Sequence, residues 1–296
     1  MKLGFIGLGR MGSNMTLNLL DHKHKVVGFD YDQKVIKKLS KKGMISANGY
    51  GDLISKLPKR KIIWLMVPAK VVDIAVSDLY SLLNEGDIVI DGGNSFYKDS
   101  IRRYKKFKRK GIHFLDCGTS GGINGARQGA CMMVGGDKEV FDKVKILFKD
   151  MTVKDGYGYV GKSGSGHFVK AVHNGIEYGF MGALSEGFTL LEKKKGFDIN
   201  LSEVSKIYAN GSIIESRLTS WLNEAFNKRG FLDKIACEVP KGETEDEMKI
   251  LEDMSDMPVL KASRKIRVNS RTKENTCGKY ISAMRNLFGG HKVNKK

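Results

Sequence analysis

The stretch Lys2–Gly12, KLGFIGLGRMG, decides how the first half of this chain is read. It is a short apolar run ending in a GxGxxG motif, Gly7 to Gly12, that opens a helix-forming segment. Gly7 permits a tight turn, Gly9 lets backbone approach a pyrophosphate, and Gly12 lets helix and strand pack closely. Leu8, Arg10 and Met11 fill the turn and the helix start, whose N–H groups and positive potential suit phosphates. Asp30 ends the next apolar run, HKVVGFD, 30 − 12 = 18 residues beyond the last glycine. A carboxylate there bonds a ribose 2′-hydroxyl and repels a 2′-phosphate. With Asp32 close behind and no arginine directly after Asp30, the expected cofactor is NAD rather than NADP.

Outward from this motif, short apolar runs alternate with helix-period segments. KIIWLMVP, DIVIDGG and IHFLDCG read as further strands, and ACMMVGG and DGYGYVG as edge strands around a helix at 137–150. Such alternation predicts a parallel sheet covered on both faces. From residue 164 the pattern changes to one long helix ending at Gly196, then helices at 201–209, 213–227, 243–254 and 272–288. The expected architecture is an α/β doubly wound parallel sheet over residues 1–163, followed by an all-α domain over 164–296, with the long helix between them.

That helix carries the chemistry-bearing segment GHFVKAVHNGIEYG, Gly166–Gly179. Lys170, Asn174, Glu177 and Tyr178 fall at i, i+4, i+7 and i+8 and share a face, with His173 at its margin. Phe168, Val169, Val172, Ile176 and Phe180 supply the apolar remainder, and Gly175, Gly179 and Gly182 form a stripe that invites close approach of another backbone. These features predict a helix buried on most sides. Ionisable groups in such a place are either paired or used. Beside a dinucleotide domain, a lysine with depressed pKa can take an alcohol proton as hydride leaves, and a carboxylic acid can return a proton to another carbon.

Composition narrows the remaining classes. The net charge of +18 lies mainly in short clusters such as KKFKRK, without aromatic residues interleaved in the manner of a stacking platform and with no zinc-finger or RNA-recognition signature. Solvated faces and steering of an anionic substrate account for it. No apolar run reaches the roughly 20 residues that cross a bilayer. The glycine-broken N-terminus is not a signal sequence, so a cytoplasmic location is expected. Cys117, Cys131, Cys237 and Cys277 are widely scattered, which predicts reduced, structural thiols and no metal site.

Five segments together resemble the 6-phosphogluconate dehydrogenases, in their short, single-helical-repeat form. They are GLGRMGSNM at 7–15, DGGNSFYKDSIRR at 91–103, GTSGG at 118–122, the Gly166–Gly179 segment and RNLFGGH at 285–291. The resemblance implies a Rossmann-type N-terminal domain with Val67, Pro68 and Asn94 also at the cofactor. It implies Lys170 as the base for the 3-hydroxyl and Glu177 as the acid that protonates C1 of the enediol after metal-independent loss of carbon dioxide. Asn94, Ser120, Gly121, Gly122, His173 and Asn174 would hold the sugar acid. Tyr178, Arg285 and His291 would bind its phosphate, the last two in a neighbouring subunit's site of a homodimer or homotetramer.

Two segments depart from the family pattern. Alignment through GSII puts Glu215 where the family has an arginine, and EVPKGETEDEM stands where DSGEGRW is usual, with Lys241 and Gly242 as remnants. Arg264, Arg267 and Arg271 are candidates to replace the lost charge. The alternatives carried forward are a sister dehydrogenase acting on another, unphosphorylated sugar acid or β-hydroxy acid, and a dinucleotide-binding protein with little activity.

Overall fold

The structure, a computed structural model, describes residues 1–242, 244–272 and 277–294. It divides into two compact units, Met1–Lys170 and the chain from Ala171 onward. The division falls seven residues beyond the expected boundary, inside a helix. The physical reason is that the first turns of that helix pack on the sheet of the first unit, as described below.

The first unit alternates strand and helix. Its elements are β1 (Lys2–Ile6), α1 (Arg10–Asp21), β2 (Lys25–Phe29), α2 (Gln33–Ser40), β3 (Ile45–Ser46), α3 (Tyr50–Ser55), β4 (Ile62–Leu65) and α4 (Ala69–Leu82). They continue as β5 (Ile88–Asp91), α5 (Tyr97–Lys108), β6 (His113–Ser120), α6 (Gly122–Gln128), β7 (Ala130–Gly135), α7 (Lys138–Met151) and β8 (Thr152–Gly161). The strands form one sheet in the order β3-β2-β1-β4-β5-β6-β7-β8. All neighbours are parallel except β6 and β7. The order reverses between β1 and β4, which is where open α/β sheets leave a crevice beyond their strand ends.

Alternation along these strands builds a core on each face of the sheet. Phe5, Trp64, Ile90 and Leu115 face one cluster, whereas Ile6, Ile63, Leu65, Val89 and Phe114 face the other. The apolar runs therefore have no polar side to expose, as a doubly covered parallel sheet requires.

Helix α8 (Ser165–Lys193) begins in the first unit and continues in the second, whose further helices are α9 (Leu201–Tyr208), α10 (Arg217–Asn227), α11 (Glu245–Met254), α12 (Pro258–Asn269) and α13 (Lys279–Gly289). Met181, Leu184, Phe188, Leu222, Tyr280 and Met284 form their core. The glycine stripe does what its spacing suggested. Side chains added at Gly175, Gly179 or Gly182 would meet Leu260, Val259 and Ser263 of α12.

Four expectations need correction. Helix α12 was not anticipated, because its buried positions include Ser263 and Arg267 beside Leu260, so its inward face does not look apolar. The expected helix at 272–288 starts at Lys279, and residues 273–276 lie outside the described ones. Ile176 stands 68% exposed and Val169 36%, so α8 is less enclosed than its sequence implied. Lastly, Cys237 and Cys277 are joined as a disulfide, leaving Cys117 and Cys131 as free thiols. Their separation of 40 residues had concealed a Cα–Cα distance of 4.4 Å. Among the described residues no helix is long and apolar enough to cross a membrane.

Candidate active site

The turn after β1 has the shape its glycines promised. Gly7 sits at φ +93°, a region that costs other residues dearly, and a Cβ on Gly12 would lie 2.0 Å from the Gly7 carbonyl oxygen. At Gly9 the same added atom would meet nothing within 4 Å, so the backbone there is open to a ligand. Gly9 is the N-cap of α1 and brings no side-chain cap to the helix's first N–H groups. The Asp30 carboxylate accepts from Leu8 N–H at 2.6 Å and Asp32 N–H at 2.9 Å, fixing the β2 end against the glycine turn. Leu8 is buried, Met11 half-buried and Arg10 exposed. Val67 and Pro68 follow β4, the neighbour of β1 in the sheet. An open glycine, uncapped helix N–H groups and a held carboxylate fit a dinucleotide.

Two buried carboxylates organise the strand ends beyond it. Asp91 closes β5 and accepts from Gly93 N–H at 3.2 Å, Ser95 Oγ at 2.7 Å and Arg103 Nη1 at 3.2 Å. Arg103 is itself buried and donates to Ser95 Oγ and Asp73. His167 Nε2 meets the Gly93 carbonyl at 3.1 Å, while its Nδ1 pairs with Ser100 Oγ at 2.7 Å. The loop bearing Asn94 is thereby held at both ends. Asp116, on β6, accepts from Gly164 N–H at 2.6 Å and His167 N–H at 3.1 Å, and so anchors the first turn of α8.

That anchoring places Lys170. A Cβ on Gly118 of β6 would lie 2.4 Å from Lys170 Cβ, and one on Gly166 would lie 2.5 Å from the Asp116 carbonyl oxygen. Strand and helix touch through missing side chains. Lys170 is therefore fixed beside the end of β6, where Ser120, Gly121 and Gly122 turn into α6, the two glycines at φ +118° and +63°. Arg103, Asp116 and His167 were not singled out from the sequence, and Asp91 entered only as the start of the DGGNS segment. The DGGNS turn around Asp91 was the available signal.

In the second unit His173 Nδ1 stands 3.4 Å from Asn174 Oδ1 and 3.9 Å from Glu177 Oε2, with Asn174 buried and the other two half-buried. Tyr178 is 4% exposed, and the Arg267 guanidinium carbon lies 3.3 Å from its ring centroid. Arg267 is 2% exposed, and its Nε has no hydrogen-bond partner among the described residues. Burial pulls its pKa down to about 10, against the opposing pull of Tyr178, Glu177 and Glu245. Arg285 is also buried and its pKa lowered by that burial. It donates to the Pro240 carbonyl at 2.7 Å, and a Cβ on Gly242 would be 3.1 Å from its Nη2. Two deeply buried guanidinium groups that meet a carbonyl and an aromatic face, with no ion-paired carboxylate among the described residues and with Glu177 and Glu245 near enough to raise their pKa values against the effect of burial, make a candidate cradle for an anion.

The other candidate cations are engaged elsewhere. Arg271 forks onto Glu245 at 2.9 and 2.5 Å, Arg264 onto Glu252 at 2.6 and 2.8 Å, and Lys241 pairs with Asp246 at 2.9 Å. Glu215 is exposed and accepts from Gly211 N–H at 2.6 Å, serving its own turn. His291 folds over Gly289 and packs its ring against Phe288 at 5.8 Å. Five further cations, Lys98, Arg102, Lys105, Lys106 and Arg109, ring a surface hollow of about 590 Å³ beside Tyr80, with Arg102 paired to Asp73 and Asp99.

A doubly wound sheet with this turn and this acid defines a dinucleotide-binding class of protein. Two domain families match the sequence: the NAD binding domain of 6-phosphogluconate dehydrogenase over residues 2–161 and the C-terminal domain of 6-phosphogluconate dehydrogenase over residues 166–197. The chain belongs to the 6-phosphogluconate dehydrogenase family. It is 44% identical to YqeC of Bacillus subtilis over 298 residues, with both chains covered in full. It is 39% identical to the NAD(+)-dependent, decarboxylating 6-phosphogluconate dehydrogenase of Haloferax volcanii, covering 100% of this chain and 99% of that one. A solved structure of Plasmodium falciparum 6-phosphogluconate dehydrogenase superposes with a TM-score of 0.84 at 30% identity, over 92% of this chain and 62% of that chain.

Proposed function

We propose that this chain oxidises and decarboxylates 6-phosphogluconate to ribulose 5-phosphate and carbon dioxide, with NAD as oxidant. The Gly7–Gly12 turn, Asp30, Val67, Pro68 and Asn94 would hold NAD, which would supply the hydride acceptor. Lys170 takes the proton of the 3-hydroxyl as hydride leaves that carbon. The 3-keto acid then loses its carboxylate, and Glu177 protonates C1 of the resulting enediol. Asn94, Ser120, Gly121, Gly122, His173 and Asn174 orient the sugar acid by hydrogen bonds.

The observation that carries this reading is the pair of buried guanidinium groups, Arg267 and Arg285, against Tyr178. Arginine matches phosphate geometry, and a desolvated arginine without a carboxylate gains most from a dianion. Arg267 thus supplies the cation that the sequence lacks at Glu215. The full-length relationship to an NAD(+)-dependent decarboxylating enzyme disfavours the alternative of an unphosphorylated substrate.

Arg285 meets Gly242 and Pro240 of its own chain, so its place in the phosphate cradle is proposed within one subunit, and a neighbour's contribution is left to His291. A homodimer or homotetramer in the cytoplasm remains part of the reading. It is supported by Ile176, Leu190, Phe197, Ile207, Ile213 and Val259, which the second unit leaves in water.

The test is purified protein with 6-phosphogluconate and NAD. Equimolar NADH and carbon dioxide are expected, and NADH without carbon dioxide would refute the decarboxylating step. Glu177→Gln should slow product formation by about 10²-fold or more, the scale of general acid catalysis. An unaltered rate would remove Glu177 from its role.

A further inference from the structure

The disulfide was unexpected, and its place in the fold gives it a purpose. Cys237 begins a strap, residues 237–242, that is laid against the start of α13 and the end of α12. Gly278 N–H donates to the Cys237 carbonyl at 2.7 Å, and Ser282 Oγ to that of Glu238 at 3.0 Å. Val239 N–H reaches Ser270 Oγ at 3.0 Å, and the Val239 side chain is fully buried. Three residues after Cys237, the Pro240 carbonyl receives Arg285 Nη1 at 2.7 Å, and Gly242 lies against Nη2. The far end of the disulfide, Cys277, precedes Gly278, the N-cap of the helix that carries Arg285. One covalent bond therefore ties the strap that receives Arg285 to the helix that presents it.

We infer that the Cys237–Cys277 bond is a clamp that positions Arg285 for the substrate's phosphate, and that a dithiol reductant releases it. The inference rests on the phosphate cradle proposed above. Cys237 is exposed and Cys277 half-buried, so an attacking thiolate can reach the bond. A dithiol displaces one cysteine sulfur to form a mixed disulfide, and its second thiol then expels the other. Two electrons and two protons pass to the protein, which gains two thiols, while the reductant becomes a cyclic disulfide. Beyond the Val239 anchor, the described strap is then held by Arg285 on the Pro240 carbonyl, by Glu245 N–H on the Gly242 carbonyl and by the Lys241–Asp246 ion pair, and the covalent restraint that fixes the direction of the Pro240 carbonyl is gone. In a cytoplasmic enzyme, a reversible disulfide of this kind acts as a redox sensor rather than a permanent staple.

The experiment compares air-oxidised enzyme with enzyme treated with dithiothreitol. Thiol titration of the unfolded chain should count two thiols before reduction and four after it. Reduction should raise KM for 6-phosphogluconate about tenfold with kcat within about twofold, the loss expected when one charge-assisted hydrogen bond is loosened. Turnover of unphosphorylated gluconate should not respond, because that substrate makes no use of the clamp. Calorimetry with inorganic phosphate should show the same tenfold weakening without any reaction. Cys237→Ser should hold the high KM in either condition, and Cys131→Ser should keep the wild-type response.

Four thiols before reduction, or equal KM and equal phosphate affinity in both states, would overturn the clamp. If the oxidised enzyme does not turn over 6-phosphogluconate, the functional reading falls, and phosphate calorimetry alone decides the clamp.

Discussion

The lysine end of α8 and the arginine cradle around Tyr178 solve the same problem, holding a charged side chain still, by opposite means. Around Lys170 the work is done by side chains that are missing. Gly118 and Gly166 let β6 and α8 touch, and Asp116 ties down the helix start. Around Tyr178 it is done by large side chains that fill space, with Arg267 stacked on the ring and Arg285 held by a backbone carbonyl. A contact built from glycines leaves no slack, so a single added methyl disturbs it. A contact built from long guanidinium side chains depends on charge and direction, and fails through electrostatics rather than fit.

The contrast can be broken at its strongest point first. Lys170→Met should lower kcat by about 10³-fold or more while NAD affinity measured by fluorescence titration stays within about twofold, since proton transfer is lost and the dinucleotide turn is untouched. A variant that retained turnover would remove Lys170 from the chemistry. Arg267→Met should raise KM for 6-phosphogluconate about 10²-fold with a smaller change in kcat, the value of losing one buried charged hydrogen-bonding group. Arg267→Lys should recover little of this, because an ammonium neither stacks on Tyr178 nor forks onto a phosphate.

Gly118→Ala separates the two regions by mechanism. Its methyl would fall 2.4 Å from Lys170 Cβ. We expect about 1–3 kcal/mol of lost stability by denaturant titration and about a tenfold loss in kcat, with KM little changed. A rise in KM instead would mean that β6 positions substrate rather than the base. The smallest effect belongs to Asp30→Ala, which should shift the NADP-to-NAD preference by about tenfold toward NADP in paired kcat/KM measurements. An unchanged ratio would leave the discrimination to other residues.

The same contrast explains what could be read from the chain. The glycine turn at Gly7–Gly12, the apolar strands and the glycine stripe on α8 all follow local rules, because spacing and the absence of a Cβ are written directly in sequence. The grouping of Lys170 and Glu177 on α8 was legible for the same reason, since 3.6-residue periodicity puts them on one helix face. The arginine cradle was not. Helix α12 buries Ser263 and Arg267 where a pattern reader expects apolar residues, so neither the helix nor the site of its arginine shows as periodicity. On the proposed reading, linear alignment looks for a cation at Glu215, whereas packing offers Arg267 from another segment. The pairing of Cys237 with Cys277 likewise depends on how α11 and α12 fold back between them, which no spacing rule reports.

The central claim is that this chain selects its substrate by the phosphate, through guanidinium groups buried against Tyr178. It is tested most directly by measuring kcat/KM for 6-phosphogluconate and for gluconate, in the wild-type enzyme and in Arg267→Met. The account predicts that wild type prefers the phosphorylated acid by about 10³-fold or more, and that the variant loses about 10² of that preference through the phosphorylated substrate alone. Equal preference in the two proteins, or a wild-type enzyme that favours gluconate, would contradict it.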